Sequence, residues 1–237
     1  MTNRINFDEI QMTQEKILRT VETLFDPGRV VELRILHRNK RRIDSGYFND
    51  FEALANCAAN CDHTQDVTGI YITLNPVDPR LLSRAANKVR AFATDTTKDK
   101  EVLERRLLLV DLDSTRPTGI SATDEEIEFA RDRAFDVAIF LREMGYSDPF
   151  IGFSGNGYHL LYSIQMPNND ASTETIKNLL NVLALKFNDE NITVDTSVHN
   201  ASRISKLYGT MARKGDDTAD RPHRRAVLEG RWIADGD

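Results

Sequence analysis

Cysteine is almost missing from this chain: only Cys57 and Cys61 occur among 237 residues. Two thiols one helical turn apart cannot frame a disulfide-stapled fold, and they read as structural thiols in a reducing compartment. The stretch CAANCDH adds His63, but three ligands at that spacing do not match a common zinc site, so no zinc is expected. Long apolar runs are missing too. None approaches the roughly 20 residues a membrane span needs. The opening MTNRINFDEI has no apolar signal core. These gaps point to a cytoplasmic protein with no membrane partner. There is no internal repeat and no long low-complexity tract. No GxxxxGK phosphate loop marks an attached motor. The closing RWIADGD looks like an arbitrary stop, which suggests the front part of a longer protein.

Strong charge of one sign is lacking as well. A net charge of −6 does not announce a nucleic-acid binder, but the distribution is uneven. Residues 199 to 231 carry eight Lys or Arg against four acids, about +4, and a second basic cluster, HRNKRR, spans 37 to 42. An acidic chain with local basic patches fits one that grips phosphates in one place.

What is present alternates between two periods. Residues 12–25 place Ile17, Val21 and Leu24 on one helical face, and Pro27-Gly28 stops them. Strands are expected at 30–37, 69–76, 105–113 and 191–198, and helices at 49–60, 79–89, 121–145 (capped by Ser121) and 173–187. PFIGFSGNGYHLLYSI reads as strand, Gly-rich turn, strand. A mobile loop is expected at 91–101, and the chain beyond 198 reads as polar, basic and loop-like. Strands and helices intermix throughout, which argues for a single α+β domain.

Three segments carry chemistry. LLLVDLDSTR ends a buried run with Asp111 and Asp113. On a strand, residues two apart share a face about 7 Å apart. Like charges so placed repel unless a cation sits between them. Ser154-Gly155-Asn156-Gly157-Tyr158-His159 offers glycines whose amides can turn toward an anion, flanked by two side chains that can donate to phosphate. A plain Asn-Gly hairpin would explain the turn but not the serine and histidine. Asp195 ends the apolar stretch ITVD, and Arg203, Lys206, Arg213 and Lys214 follow. Three carboxylates make a hard oxygen site for Mg²⁺ or Mn²⁺, two ions in all, and nearby cations would neutralise a triphosphate.

DLD after an apolar strand, SGNGYHLLY, NASRISKLYGT and RKGDDTADRPHRR together resemble the archaeo-eukaryotic primase superfamily. The resemblance is closest to the primase-polymerase domains of plasmids, phages and CRISPR-linked bacterial loci, and it covers about residues 30 to 230. It implies an N-terminal α/β module, about 1–105, packed on an RRM-like catalytic module, about 106–237, with the active site between them. It implies template-directed nucleotidyl transfer from NTP or dNTP to a 3′-hydroxyl on single-stranded DNA. Asp111, Asp113 and Asp195 would be catalytic metal ligands. Ser154, Gly155, Asn156, Gly157, His159, Arg203 and Lys206 would bind the nucleotide. Partners would be template, primer, and helicase, replication or CRISPR adaptation proteins. The second acid of the first motif is often Glu in this superfamily, and here it is Asp113.

Two other readings start from the same residues. DLDST also fits a haloacid-dehalogenase-type phosphatase with Asp111 as nucleophile, Asp113 as acid and base, and Ser154 at a second strand end. That reading needs a late acidic pair, and only Asp216-Asp217 is available. A non-catalytic single-stranded nucleic-acid-binding domain could use Phe153, Tyr158 and Tyr162 as stacking rings.

Overall fold

The computed structural model describes residues 7–232. The first six residues and the closing IADGD lie outside them.

Two antiparallel sheets organise the chain, each with its helices on one face. The first begins with α1 (Phe7–Leu24), β1 (Val31–His37), β2 (Ile43–Phe48), α2 (Phe51–Asp62) and β3 (Val67–Thr73). In β1 and β3 the side chains alternate. Leu33, Ile35, Ile70 and Ile72 join Ile17, Val21, Leu54 and Ala58 of the two helices in one apolar core. Glu32, Arg34, Leu36 and Tyr71 fall on the opposite face. Asp50 caps α2 by accepting from Ala53 N, which fixes where that helix starts after β2.

The second sheet contains β4 (Glu104–Ser114), β5 (Phe150–Phe153), β6 (Gly157–Pro167), β7 (Ile192–Val194) and β11 (Val227–Arg231), ordered β11-β5-β6-β4-β7. Helices α3 (Asp124–Glu143) and α4 (Asp170–Phe187) pack on it. The helix expected from Ser121 starts later. Thr123 is its cap, and Thr123 and Glu126 form a reciprocal capping box.

The tail is not loop-like. β8 (Ile204–Lys206) pairs with β3 and extends the first sheet, β9 (Met211–Ala212) pairs with β10 (Arg224–Arg225), and β11 pairs with β5. These strands have two to five residues. They exist because a pre-formed edge or a neighbouring segment offers partners, which a local pattern does not register. β8 crosses the division expected near residue 105, because a segment from the second half completes the sheet of the first. Two further expectations shift: the helix at 79–89 is a 3₁₀ turn, Pro79–Arg84, and the strand at 191–198 stops at Val194 before a 3₁₀ turn, Thr196–His199. The 91–101 loop is tied down, with Thr97 N donating to Glu32 Oε2 at 3.0 Å.

Candidate active site

A cleft of about 320 Å³ lies between the sheets. Its lining includes Asp111, Asp113, Ser154, Asn156, His159, Asp195, Arg203, Lys206 and Lys214, with Tyr71 of the first sheet. A larger groove, about 450 Å³, runs beside α1, but Arg29 and Arg106 there are paired with Glu104 and Asp26 and no histidine lines it. The chemistry is in the smaller cleft.

The period of β4 puts Leu109, Asp111 and Asp113 on the cleft side, while Leu112 is fully buried. His159 stands directly opposite Asp111 on β6, so the two share that face, with Nε2 3.4 Å from Asp111 Oδ1. Behind the ring, Nδ1 meets Tyr208 Oη at 2.8 Å and Ser205 Oγ at 3.3 Å. Burial raises the pKa of the Tyr208 hydroxyl, so it stays protonated beside Nδ1 and holds the ring's orientation, with Nε2 toward Asp111. Tyr158 and Tyr162 point the other way into the core, 6% and 1% exposed. They therefore offer no free face for a base, which removes two of the rings the binding-domain reading needs.

The two carboxyls are driven apart. Burial works to raise Asp111, but the facing His159, with Lys214 and Arg203, holds it below its usual range. Burial and the Asp111 charge push Asp113 up, against Lys214 and Arg116. Arg116 reaches Asp113 Oδ1 at 3.4 Å from a side chain that is 6% exposed. A hard divalent cation suits this pair, because such ions take one or two carboxylates and complete their shell with water and substrate phosphate. Asp195 is brought alongside: its amide donates to Asp111 O at 2.9 Å. Its carboxylate, however, accepts from Ser197 N at 2.8 Å as the cap of the Thr196–His199 turn. Among the described residues no three His, Cys, Asp or Glu side chains are gathered into a ready metal-binding group. Asp111 and Asp113 are thus the core of any metal site, with Asp195 on the same wall.

The expected phosphate cradle is closed on itself. The amides of Asn156 and Gly157 donate to Ser154 Oγ at 3.3 and 3.0 Å, and that hydroxyl donates to Gly157 O. The serine clamps its own turn, a local competition common to serine in loops. Asn156 Oδ1 accepts from Ala122 N at 2.8 Å and so seats the approach to α3. Gly157 is required sterically: a Cβ there would collide with Leu112 O and lie 2.7 Å from Asp113 Oδ1.

Most cations of the wall are already engaged. Arg203 donates to Asn200 Oδ1 and Ser197 O. Lys206 is 4% exposed and its ammonium donates to Thr210 Oγ1, Met211 O and Ile70 O. Arg213 is held by Asp62, as is Arg225. Lys214 is the exception. It lines the cleft, its charge opposes the effect of burial on both Asp111 and Asp113, and its Nζ has no hydrogen-bond or ion-pair partner among the described residues. Its backbone is fixed by Ser121 Oγ, which donates to Lys214 O at 3.1 Å. Sequence reading noted Lys214 only as one of a basic run, since nothing local marks which member of the run is left free.

Lys206 also gives a pH signature. Burial presses its pKa down to about 7, with Asp62 opposing. The unfolded chain therefore holds a proton that the folded chain releases between pH 7 and the ordinary lysine range, so this group's contribution to stability grows as pH rises. Urea unfolding of the native chain and Lys206→Met at pH 6 to 9 should show the native chain gaining on the variant, by up to about 1.4 kcal/mol per pH unit. A constant difference would contradict this.

No family model matches the chain, and no curated protein does. Two solved structures share its fold. One is primase RepB′, with a TM-score of 0.51 and 12% identity over 92% of this chain and 56% of that one. The other is the polymerase domain of Mycobacterium tuberculosis ligase D in complex with DNA, with a TM-score of 0.51 and 15% identity over 92% and 79%. The chain spans little more than half the length of the primase. Its α+β fold is that of these primase and polymerase domains.

Proposed function

We propose that the chain is a primase-polymerase catalytic domain that joins nucleotides on a single-stranded DNA template. The observation that carries this reading is the placement of Asp111 and Asp113 on one face of β4, opposite His159, in a cleft walled by cations. Nucleotidyl transfer needs an activated 3′-hydroxyl, an electrophilic α-phosphate and a stabilised pyrophosphate leaving group. Mg²⁺ or Mn²⁺ bound at Asp111 and Asp113 would lower the hydroxyl's pKa and neutralise phosphate charge. The chain's own residues do the rest. Asp111 is held charged by His159, whose orientation Tyr208 fixes. Lys214 offers three donors with no competing acceptor and takes the place expected for Lys206 beside the triphosphate. Asp195, whose amide bonds Asp111 O, would add a third carboxylate on the same wall.

The phosphatase reading lacks its late acids. Asp216 and Asp217 lie exposed in a loop, and Asp217 accepts from His223 N rather than ending a strand.

The test is incorporation of a labelled nucleotide on primed and unprimed single-stranded DNA, with each nucleotide type and each metal. Metal-dependent extension is expected, and release of inorganic phosphate from a phosphomonoester without extension would overturn the reading. Lys214→Gln should lower kcat/KM for nucleotide by about 10- to 100-fold, the worth of a hydrogen bond to a charged group. The loss should fall mainly on KM and be partly recovered by Lys214→Arg. An unchanged KM would remove Lys214 from the site.

A further inference from the structure

The basic cluster at 37–42 plays no part in the cleft. It forms the tight turn between β1 and β2. Residues 38–42 hold four cations and no acid. Lys40 and Arg41 are exposed, and neither side chain has a partner among the described residues. Arg42 is gripped by Asp44 through two hydrogen bonds, and its guanidinium lies over the Phe92 ring, 5.0 Å from the centroid. The acids at this end, Asp44 and Asp66, are both engaged by His37 and Arg42.

Phe92 is the unusual residue. It is 64% exposed and has φ of +53°, the left-handed region that a bulky side chain avoids. The surroundings impose that conformation. Phe92 N donates to Asp44 Oδ1 at 3.0 Å, Ala93 N donates to Ile43 O at 2.8 Å, and Arg90 exchanges two backbone hydrogen bonds with Ser45. Four separate bonds thus hold a strained backbone so that an apolar ring stands in water, one face on a guanidinium. Core packing does not account for it. Strain kept in this way belongs to sites that use it. Exposed Lys88 and Arg90 precede the ring in sequence.

The patch also continues the cleft. Leu36 and Thr68 line the cleft, Thr68 Oγ1 donates to Leu36 O at 3.2 Å, and the basic turn begins two residues after Leu36. The turn therefore starts one residue beyond the end of β1.

We propose that this patch carries the unpaired template strand past the cleft: Phe92 stacks one base, and Lys40 and Arg41 meet its phosphates. The inference deepens the proposed function and rests on it for the word template. Single strands are held by cations that track the backbone and by aromatic faces on which any base can stack. A duplex presents no free base face, and an acidic peptide has no use for the ring.

Fluorescence anisotropy with a labelled primer–template bearing a long 5′ single-stranded overhang tests it, on the native chain, Phe92→Ala, Phe92→Trp and the Lys40→Glu/Arg41→Glu double variant. Phe92→Ala should bind about tenfold more weakly, while Phe92→Trp keeps affinity. The double variant should flatten the salt dependence by about 1.4 in log–log slope, two phosphate contacts on a single strand. Incorporation opposite a one-nucleotide overhang should be unchanged in all variants. Native affinity in every variant would overturn the inference even with normal incorporation, and so would equal competition by polyglutamate and oligodeoxythymidine. If the native chain incorporates nothing, yet the variants still lose oligonucleotide affinity, the surface stands as a single-strand site and the polymerase reading falls. Melting temperatures within a few degrees of native establish that the variants are folded.

Discussion

Changing Asp111 and Asp113 together to Asn should abolish nucleotide incorporation and leave the chain folded. The carboxyls stand two apart on β4, and the charge of Asp111 pushes up the pKa of Asp113, while His159, Lys214, Arg203 and Arg116 offset that repulsion. Asn keeps the size and polarity of each side chain and removes both the repulsion and these attractions, so the melting temperature should stay within a few degrees of native. Catalysis should fall by about 10³-fold or more, the scale of losing an electrostatic group in a sheltered site. A second readout needs no turnover. Manganese should raise the melting temperature of the native chain, because ligands that bind only the folded state stabilise it, and should leave the double variant unmoved. Activity retained within tenfold would defeat the assignment of the pair.

Asp62→Ala should be the most destabilising single change outside the apolar core. Asp62 ends α2 and is 1% exposed. Its carboxylate accepts from Met211 N at 2.9 Å, Arg213 at 3.3 Å and Arg225 at 3.1 Å, while its carbonyl accepts from Arg213 at 2.6 Å. Removing it leaves two guanidiniums without their counter-charge in a partly buried seam, at a cost of about 3–5 kcal/mol. The melting temperature should drop by about 6–20 °C. The same seam seats the segment that carries Lys214, so nucleotide affinity should weaken below the melting point as well. Asp62→Asn, which keeps an acceptor for Met211 N, should recover part of the stability. A loss under about 1 kcal/mol, measured by urea unfolding, would show that the seam does not depend on this anchor.

The division between what is local and what is not runs through the site itself. Asp111 and Asp113 share a face because backbone sterics fix the strand period at two, and the apolar run before them marks that strand in the sequence. His159 joins them by the same rule applied to β6, and it also sets Tyr158 on the opposite face. The amphipathic helices and the hairpin turn were legible for the same reason. The role of Ser154 was not: a serine beside two glycines has the composition of an anion cradle, but its hydroxyl is taken by the turn's own amides, a choice only the backbone geometry makes. Nor could the basic run after Asp195 be sorted. Asp62 claims Arg213 and Arg225 from 151 and 163 residues away, Thr210 and the Ile70 and Met211 carbonyls claim Lys206, and Lys214 is what remains. The sequence alone settled which atoms share a face, because that depends on neighbours one or two residues apart. Which cations stay free was left to the tertiary structure, because it depends on acceptors that only folding brings within hydrogen-bond reach.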